Sequence, residues 1–239
     1  MPDNEHGQPV GDFVVDWTPS RPPSSLPLTG AHVRIVPLDP ERHGADLHRA
    51  FHSPEDPRTW TYMAFGPFPD AARFQAWLVD MGRSRDPLFH VWEVAGVACG
   101  LSSFLNIVPD HGTIELGNVT LGTSLRRTTA ATEGFALMLR EAFEVWGYRR
   151  FEWKCDAQNA PSIAAALRLG FTPEGVFRCH RVVRGRQRDT AWFSITVDDW
   201  PAVRAGLDAW LSADNHGPDG AQRTPLAACR PTGSLTSAG

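Results

Sequence analysis

Two groups of residues have types and spacings suited to chemistry. The first is "LGTSLRRTTAATEG" (121–134), where a strand-like run ends in two arginines, a string of small and hydroxyl residues, and a helix. A helix N-terminus offers unpaired N–H groups and about half a positive charge. Thr128, Thr129, Ala130 and Ala131 are small enough to let a phosphate reach that backbone. Thr128, Thr129 and Thr132 add hydroxyl donors, and Arg126 and Arg127 supply the fork geometry that suits phosphate oxygens. The stretch therefore reads as a pyrophosphate cradle. The blander alternative is an ordinary strand-to-helix turn with a Thr cap and two solvated arginines. The second group lies in "NAPSIAAALRLGF" (159–171). Asn159 suits an N-cap, Pro161 the first turn and Gly170 the C′ position. That explains a short helix, but not a polar Asn159 and Ser162 three apart at its start.

The elements that must position these residues follow from periodicity. "HVRIVPL" (32–38) alternates like a strand, and "PERHGADLHRAF" then has Leu47 and Phe51 at helical spacing. In "PDAARFQAWLVDMG" (69–82), Ala71, Phe74, Trp77, Leu78 and Met81 share one helical face, with Gly82 as the stop. Residues 88–108 are two strand-like runs joined at Ala95-Gly96, a hairpin signal, and 112–123 is a further strand. Helix 130–147 buries Phe135, Leu139, Ala142, Phe143 and Trp146; strand 149–157, the short helix 159–170 and a long hairpin over 175–195 follow. The order predicts a mixed, mostly antiparallel sheet with helices on both faces, an α/β fold of the α+β mixed kind. Strand 112–123 and strand 149–157 can form a parallel βαβ crossover, which sets the N-terminus of helix 130–147 at the strands' carboxyl edge, where open sheets bind ligands.

Residues 1–30, dense in Pro and Ser, read as a flexible or loosely docked leader, 31–212 as the folded domain, and 213–239 as a disordered tail. The chain has 239 residues, 42% of them hydrophobic, which is enough for one sizeable core. No apolar run approaches the ~20 residues needed to cross a bilayer. The start "MPDNEHGQPVGDF" has neither a basic nor an apolar leader region, so a cytoplasmic protein without membrane partners is expected. Cys99, Cys155, Cys179 and Cys229 are scattered and read as reduced thiols, with no metal site. Arginines number 22 against the single Lys154, as codon bias in a GC-rich genome produces. Acidic residues outnumber basic ones, 27 to 23, so a nucleic-acid partner is not expected.

"IELGNVTL" (114–121), "LRRTTAATEG" (125–134) and Asn159-x-x-Ser162 followed by Gly170-Phe171 together resemble the acetyl-CoA-binding motifs of the GNAT superfamily of N-acetyltransferases, the branch of the ribosomal-protein N-terminal acetyltransferases above all. The resemblance covers 31–197, about seven-tenths of the chain. It implies the GNAT fold with a βαβ acetyl-CoA-binding core, acetyl-CoA as co-substrate, and transfer of acetyl to a primary amine, either a protein N-terminus or a small molecule. One departure stands out. The first Gly of the family's loop falls on Thr129, which tolerates positive φ poorly, so the loop must run through ordinary dihedrals or bind the coenzyme more loosely.

By the same resemblance the pantetheine arm slots between strands 113–121 and 150–156, pairing with backbone near Val119 and Leu121, with Gly117 marking a bulge. Glu115, between Ile114 and Leu116, is the candidate general base, facing the cleft with a raised pKa; alternatively it pairs with a nearby arginine and only shapes the sheet. Ser162 is the candidate hydrogen-bond donor to the leaving thiolate, because the family's usual Tyr falls on Ala166; alternatively it completes the helix cap. Cys155 reads as structural. In this fold the loop "WTYMAFGPF" (60–68) borders the acceptor site, so Trp60, Tyr62 and Phe65 are candidate acceptor contacts, or else a cap on the core. Arg178, Arg181, Arg184, Arg186 and Arg188 form a basic hairpin that reads first as solvated. The other reading of the whole is a non-catalytic acyl-CoA-binding or regulatory module that keeps the fold. The oligomeric state is left open.

Overall fold

Alternating runs such as "RFEWKCD" and continuously apolar runs such as those of residues 88–94 and 97–104 build one open sheet. The computed structural model describes residues 2–24, 27–52, 56–218 and 220–231. Its strands are β1 (Leu28–Thr29), β2 (Arg34–Pro37), β3 (Leu88–Val94), β4 (Val97–Val108), β5 (Thr113–Leu121), β6 (Arg150–Asp156), β7 (Thr172–Val183) and β8 (Arg186–Thr196), in the spatial order β1-β2-β3-β4-β5-β6-β8-β7. Among the described residues β5–β6 is the parallel pair and the other neighbours run antiparallel. The helices are α1 (Pro40–Phe51), α2 (Ala71–Gly82), α3 (Thr129–Arg140), α4 (Ala160–Leu169) and α5 (Trp200–Leu211).

The strand period of two sends successive side chains to opposite faces. Phe89, Val91 and Leu101 pack under α1 and α2. Trp92, Phe104, Ile114, Leu116, Phe151, Trp153 and Phe193 pack under α3, α4 and α5. The hairpin expected at Ala95-Gly96 has both residues at positive φ, 49° and 81°, as a primed two-residue turn requires. The bulge expected at Gly117 falls one residue later. Leu101 faces Thr120 but Ser103 faces Gly117, and Asn118 carries the positive φ of 53°.

Three expectations change. The helix expected over 130–147 is α-helical only to Arg140; a π turn, Glu141–Val145, follows, in which Trp146 N–H reaches the Glu141 carbonyl. The leader is fixed at its end: β1 joins the sheet, and Ser20 Oγ donates to the Gly147 carbonyl at 2.9 Å. The tail expected to be disordered is packed over 213–218 and 220–231, while 232–239 lies outside the described residues. Leu226 is buried, Trp210 Nε1 donates to Gln222 at 2.7 Å, and Asn215 Nδ2 reaches the Trp210 and Thr224 carbonyls. Leu226, with Cys229 beside it, and scattered side-chain hydrogen bonds hold this segment, and neither creates a periodic pattern.

Helix α3 crosses the sheet at very close range. A Cβ on Gly134 would lie 2.2 Å from the ring of Trp92, which is fully buried and tied through Nε1 to Ser102 Oγ at 2.8 Å. Gly134→Ala therefore overpacks this crossing, with an expected loss of about 1–3 kcal/mol, read as a lower urea midpoint with an unchanged slope.

Candidate functional site

The site begins where β5 and β6 part. Their ladder runs from Thr113–Arg150 to Leu116–Trp153 and stops. Beyond it, Gly117–Leu121 and Lys154–Asp156 face one another across a gap without strand pairing. The N-terminus of α3 opens at this edge. Thr128 is its N-cap, accepting from Ala131 N–H at 3.2 Å. Among the described residues the N–H groups of Arg127, Thr128, Thr129 and Ala130 have no partner. Thr129 is the first helical residue, and the positive φ of 63° that shapes the loop falls on Arg127. The departure at Thr129 is thus accommodated: the loop takes its left-handed residue two positions earlier.

The two arginines have different roles. Arg127 is exposed and without a partner among the described residues. Arg126 is bound inward: Nε donates to the Leu121 carbonyl at 2.7 Å, NH2 to Thr59 Oγ1 at 2.9 Å, and NH1 pairs with Asp56. The Arg126 guanidinium beside Asp56 holds that carboxyl below its ordinary range. Arg126 therefore straps the 56–66 segment to the junction instead of presenting a free fork. Thr132 is also engaged, accepting from Arg168 of α4 at 3.1 Å.

Glu115 and Ser162 stand on opposite sides of the sheet. Paired residues share a face, so Glu115 sits with Glu152 and Lys154, away from α3. Asn106 Nδ2 donates to Glu115 Oε2 at 2.5 Å and Lys154 Nζ approaches the same oxygen at 2.8 Å. Burial pushes the Glu115 carboxyl up, against Lys154 and Asn106, which lower it. The row continues through Lys154–Glu152 at 2.7 Å, Arg150–Glu152 at 2.7 Å, and Arg150 to Glu174. Three carboxylates and two cations thus form one row on this face of the sheet, buried at Glu115 and Lys154 and opening toward Glu174. On the other side, Asn159 caps α4 by accepting from Ser162 N–H at 3.2 Å, and Ser162 Oγ accepts from Trp153 Nε1 at 3.0 Å. The Ser162 amide completes the cap, and its hydroxyl lies between the Trp153 indole and the Cys155 thiol. Cys155 is buried beside it, its thiol pushed up by burial.

Of the three aromatic candidates, Trp60 is a core residue. It is 4% exposed and packs on Phe51, His52, Phe65 and Phe68. Phe65 packs on Trp60 and Trp77. Tyr62 remains at the rim, donating to the Gln158 carbonyl at 3.0 Å, one residue from Asn159. Arg184, at the hairpin tip, donates to the carbonyls of Trp60, Phe65 and Gly66. The 56–66 strap therefore touches the entries of α3 and α4 and the β7–β8 tip. Sequence reasoning missed Asp56, Asn106, Glu152 and Lys154. The last two were findable, since "RFEWKCD" alternates and sets Glu152 and Lys154 on the face opposite Phe151 and Trp153.

An open sheet of eight strands, antiparallel but for one parted parallel pair and flanked by five helices, is the architecture of the GNAT acetyltransferases. A GCN5-related N-acetyltransferase from Brucella melitensis is 38% identical over 90% of this chain and 98% of its own, with a TM-score of 0.88. A GNAT-family acetyltransferase structure from Chromobacterium violaceum is 39% identical over 81% of this chain and 98% of its own, with a TM-score of 0.76. A Vibrio cholerae structure described as a ribosomal-protein-serine acetyltransferase shares the fold at 15% identity and a TM-score of 0.62, over 74% of this chain and 99% of its own. No curated protein sequence matches. The family model "Acetyltransferase (GNAT) domain" matches residues 32–172, and the chain belongs to that family. It is an N-acetyltransferase, and its family uses acetyl-CoA. Among the described residues no helix is long and apolar enough to cross a membrane.

Proposed function

We propose that this enzyme moves the acetyl group of acetyl-CoA to a primary amine by direct attack, at the gap between β5 and β6. The observation that carries the reading is the run of four amides, Arg127 to Ala130, that have no partner among the described residues and open α3 at that gap. Four such donors at a helix N-terminus suit a diphosphate, with the exposed Arg127 beside them and Thr128, Thr129, Ala130, Ala131 and Thr132 framing the loop. The pantetheine arm pairs with the free edge near Val119 and Leu121 and passes Asn159.

The amine approaches on the face of Glu115, which takes its proton as the N–C bond forms. A strand N–H at the Asn118 bulge stabilises the oxyanion. The C–S bond breaks on the α4 side, where the Ser162 hydroxyl donates to the thiolate. Three carboxylates against two cations on the acceptor face attract an amine that arrives as its ammonium, loses that proton to water and attacks as the neutral amine, with Tyr62 at the rim as the acceptor contact and Trp60 and Phe65 supporting its loop. A protein N-terminus, as in the ribosomal-protein branch, and a small-molecule amine both satisfy this chemistry. Four unpaired thiols agree with a cytoplasmic setting.

Thermal shift with acetyl-CoA tests the cradle. At 100 times the dissociation constant, binding is expected to add about 2.7 kcal/mol of apparent stability. Arg127→Glu is expected to weaken acetyl-CoA at least roughly tenfold with an unchanged apo melting temperature, since one phosphate-facing charge is reversed. Arg126→Ala is expected to lower both, because it also frees Asp56 and Thr59. Undiminished affinity in Arg127→Glu would remove that residue from the cradle.

A further inference from the structure

The chain's one lysine is not on its surface. Lys154 has a side chain only 11% exposed, with its ammonium 2.8 Å from Glu115 Oε2, 2.7 Å from Glu152 Oε2 and 3.9 Å from the Trp192 ring centroid. It stands at the first position past the end of the β5–β6 ladder, where the gap opens. Gathering three buried charges is a poor way to gain stability, because desolvation offsets most of their attraction and well-packed apolar residues do as well. The geometry is selective in a way stability alone does not require. Lys154 and Asn106 both bind Oε2 of Glu115, and Oε1 has no partner among the described residues. Oε1 lies against Gly117, 3.5 Å from where a side chain there would begin.

We infer that Lys154 is a positioning residue for acetyl transfer: with Asn106 it pins Oε2, so that Oε1 at the Gly117 edge of the gap receives the proton of the attacking amine. The inference rests on the proposed role of Glu115 as base. The groups facing Glu115 are Asn106 from β4 and Lys154 and Glu152 from β6; Arg150 and Glu174 reach it only through Glu152. Lys154 and Asn106 favour the ionised form, while burial and Glu152 oppose it. Removing Lys154 therefore raises the midpoint of Glu115, and removing the charge of Glu152 lowers it. A residue that merely fills space does neither.

Carbon-13 NMR of the full chain, labelled at the glutamate carboxyls and assigned with Glu115→Gln, follows this midpoint without any acceptor. Lys154→Met is expected to raise it by roughly one pH unit or more, Lys154→Arg to leave it near the wild-type value, and Glu152→Gln to lower it. Midpoints that stay put in Lys154→Met and Glu152→Gln overturn the inference by themselves. Where Lys154→Met does not fold, the Glu152→Gln and Lys154→Arg midpoints decide. Thiol release from acetyl-CoA against pH, with phenylalaninamide as acceptor or water where that amine is not used, completes the test. Its acid limb is expected to move with the NMR midpoint in each variant. Midpoints that move while the limb stays fixed overturn the positioning role. Thiol release indifferent to Glu115→Gln overturns it through the base assignment instead, so the two failures are told apart.

Discussion

Glu115→Gln is expected to lower amine-dependent thiol release from acetyl-CoA by about a hundredfold or more, the lower end of what a positioned general base contributes. The substitution is close to isosteric, and Lys154 keeps Glu152 as a partner at 2.7 Å, so no buried cation is stranded. Acetyl-CoA binding should be unchanged, because the amides at Arg127–Ala130 lie on another element. The loss should therefore fall on kcat and not on coenzyme affinity. The wild-type pH profile carries a matching sign. Burial raises the Glu115 pKa above its ordinary value, and the base works only when ionised. Activity is thus present above the raised pKa and lost as pH falls through it, so the acid limb sits above the ordinary carboxylate range. In Glu115→Gln that limb disappears. A variant that keeps the limb and the rate would assign proton removal to another group.

Glu133→Ala has the largest expected effect on stability. Glu133, on the second turn of α3, is 9% exposed and accepts from three successive backbone amides, Ala31 at 2.8 Å, His32 at 2.7 Å and Val33 at 3.0 Å. The chain entering β2 is wrapped on one carboxylate. A Cβ on Gly30 would lie 2.4 Å from that carboxylate, so a glycine gives it room. Hydrogen bonds to an ionised acceptor are each worth about 1.5–3 kcal/mol, and water can replace part of the contact at the exposed Ala31 and His32. The expected loss is about 3 kcal/mol, or roughly 10 °C in melting temperature for a chain of this size. Glu133→Gln, which keeps one acceptor oxygen, should lose about half as much. A melting temperature within about 2 °C of wild type in Glu133→Ala would show that the wrap is held by other contacts.

The elements were legible wherever burial writes a period into the chain. "RFEWKCD" alternates as a strand with one covered face does, "LFHVWEV" is a dense apolar run because both of its faces are covered, and the 159–170 helix is bounded by an Asn cap and a left-handed Gly170 that only local chemistry demands. The cradle segment was legible for the same reason, since a cap, small residues and a helix start are consecutive in the chain. The packed 220–231 segment was not, because one buried Leu226 and a few carbonyl bonds leave no pattern.

By itself, then, the amino-acid order determined the sheet with its flanking helices, the βαβ unit at its centre, and the residues offered at the α3 and α4 entries. Tertiary structure alone decided how those residues are used. Arg126 turned inward because Asp56 and Thr59, 70 and 67 positions away along the chain, come to meet it. Trp60 went to the core and Tyr62 to the rim, and Glu115 acquired Lys154 across a ladder that ends one residue earlier. The physical reason is range. Caps, turns and periodicity act over a few residues and are written locally, whereas a side chain's charge partner is chosen by the strand register and crossover that bring distant segments into hydrogen-bonding reach.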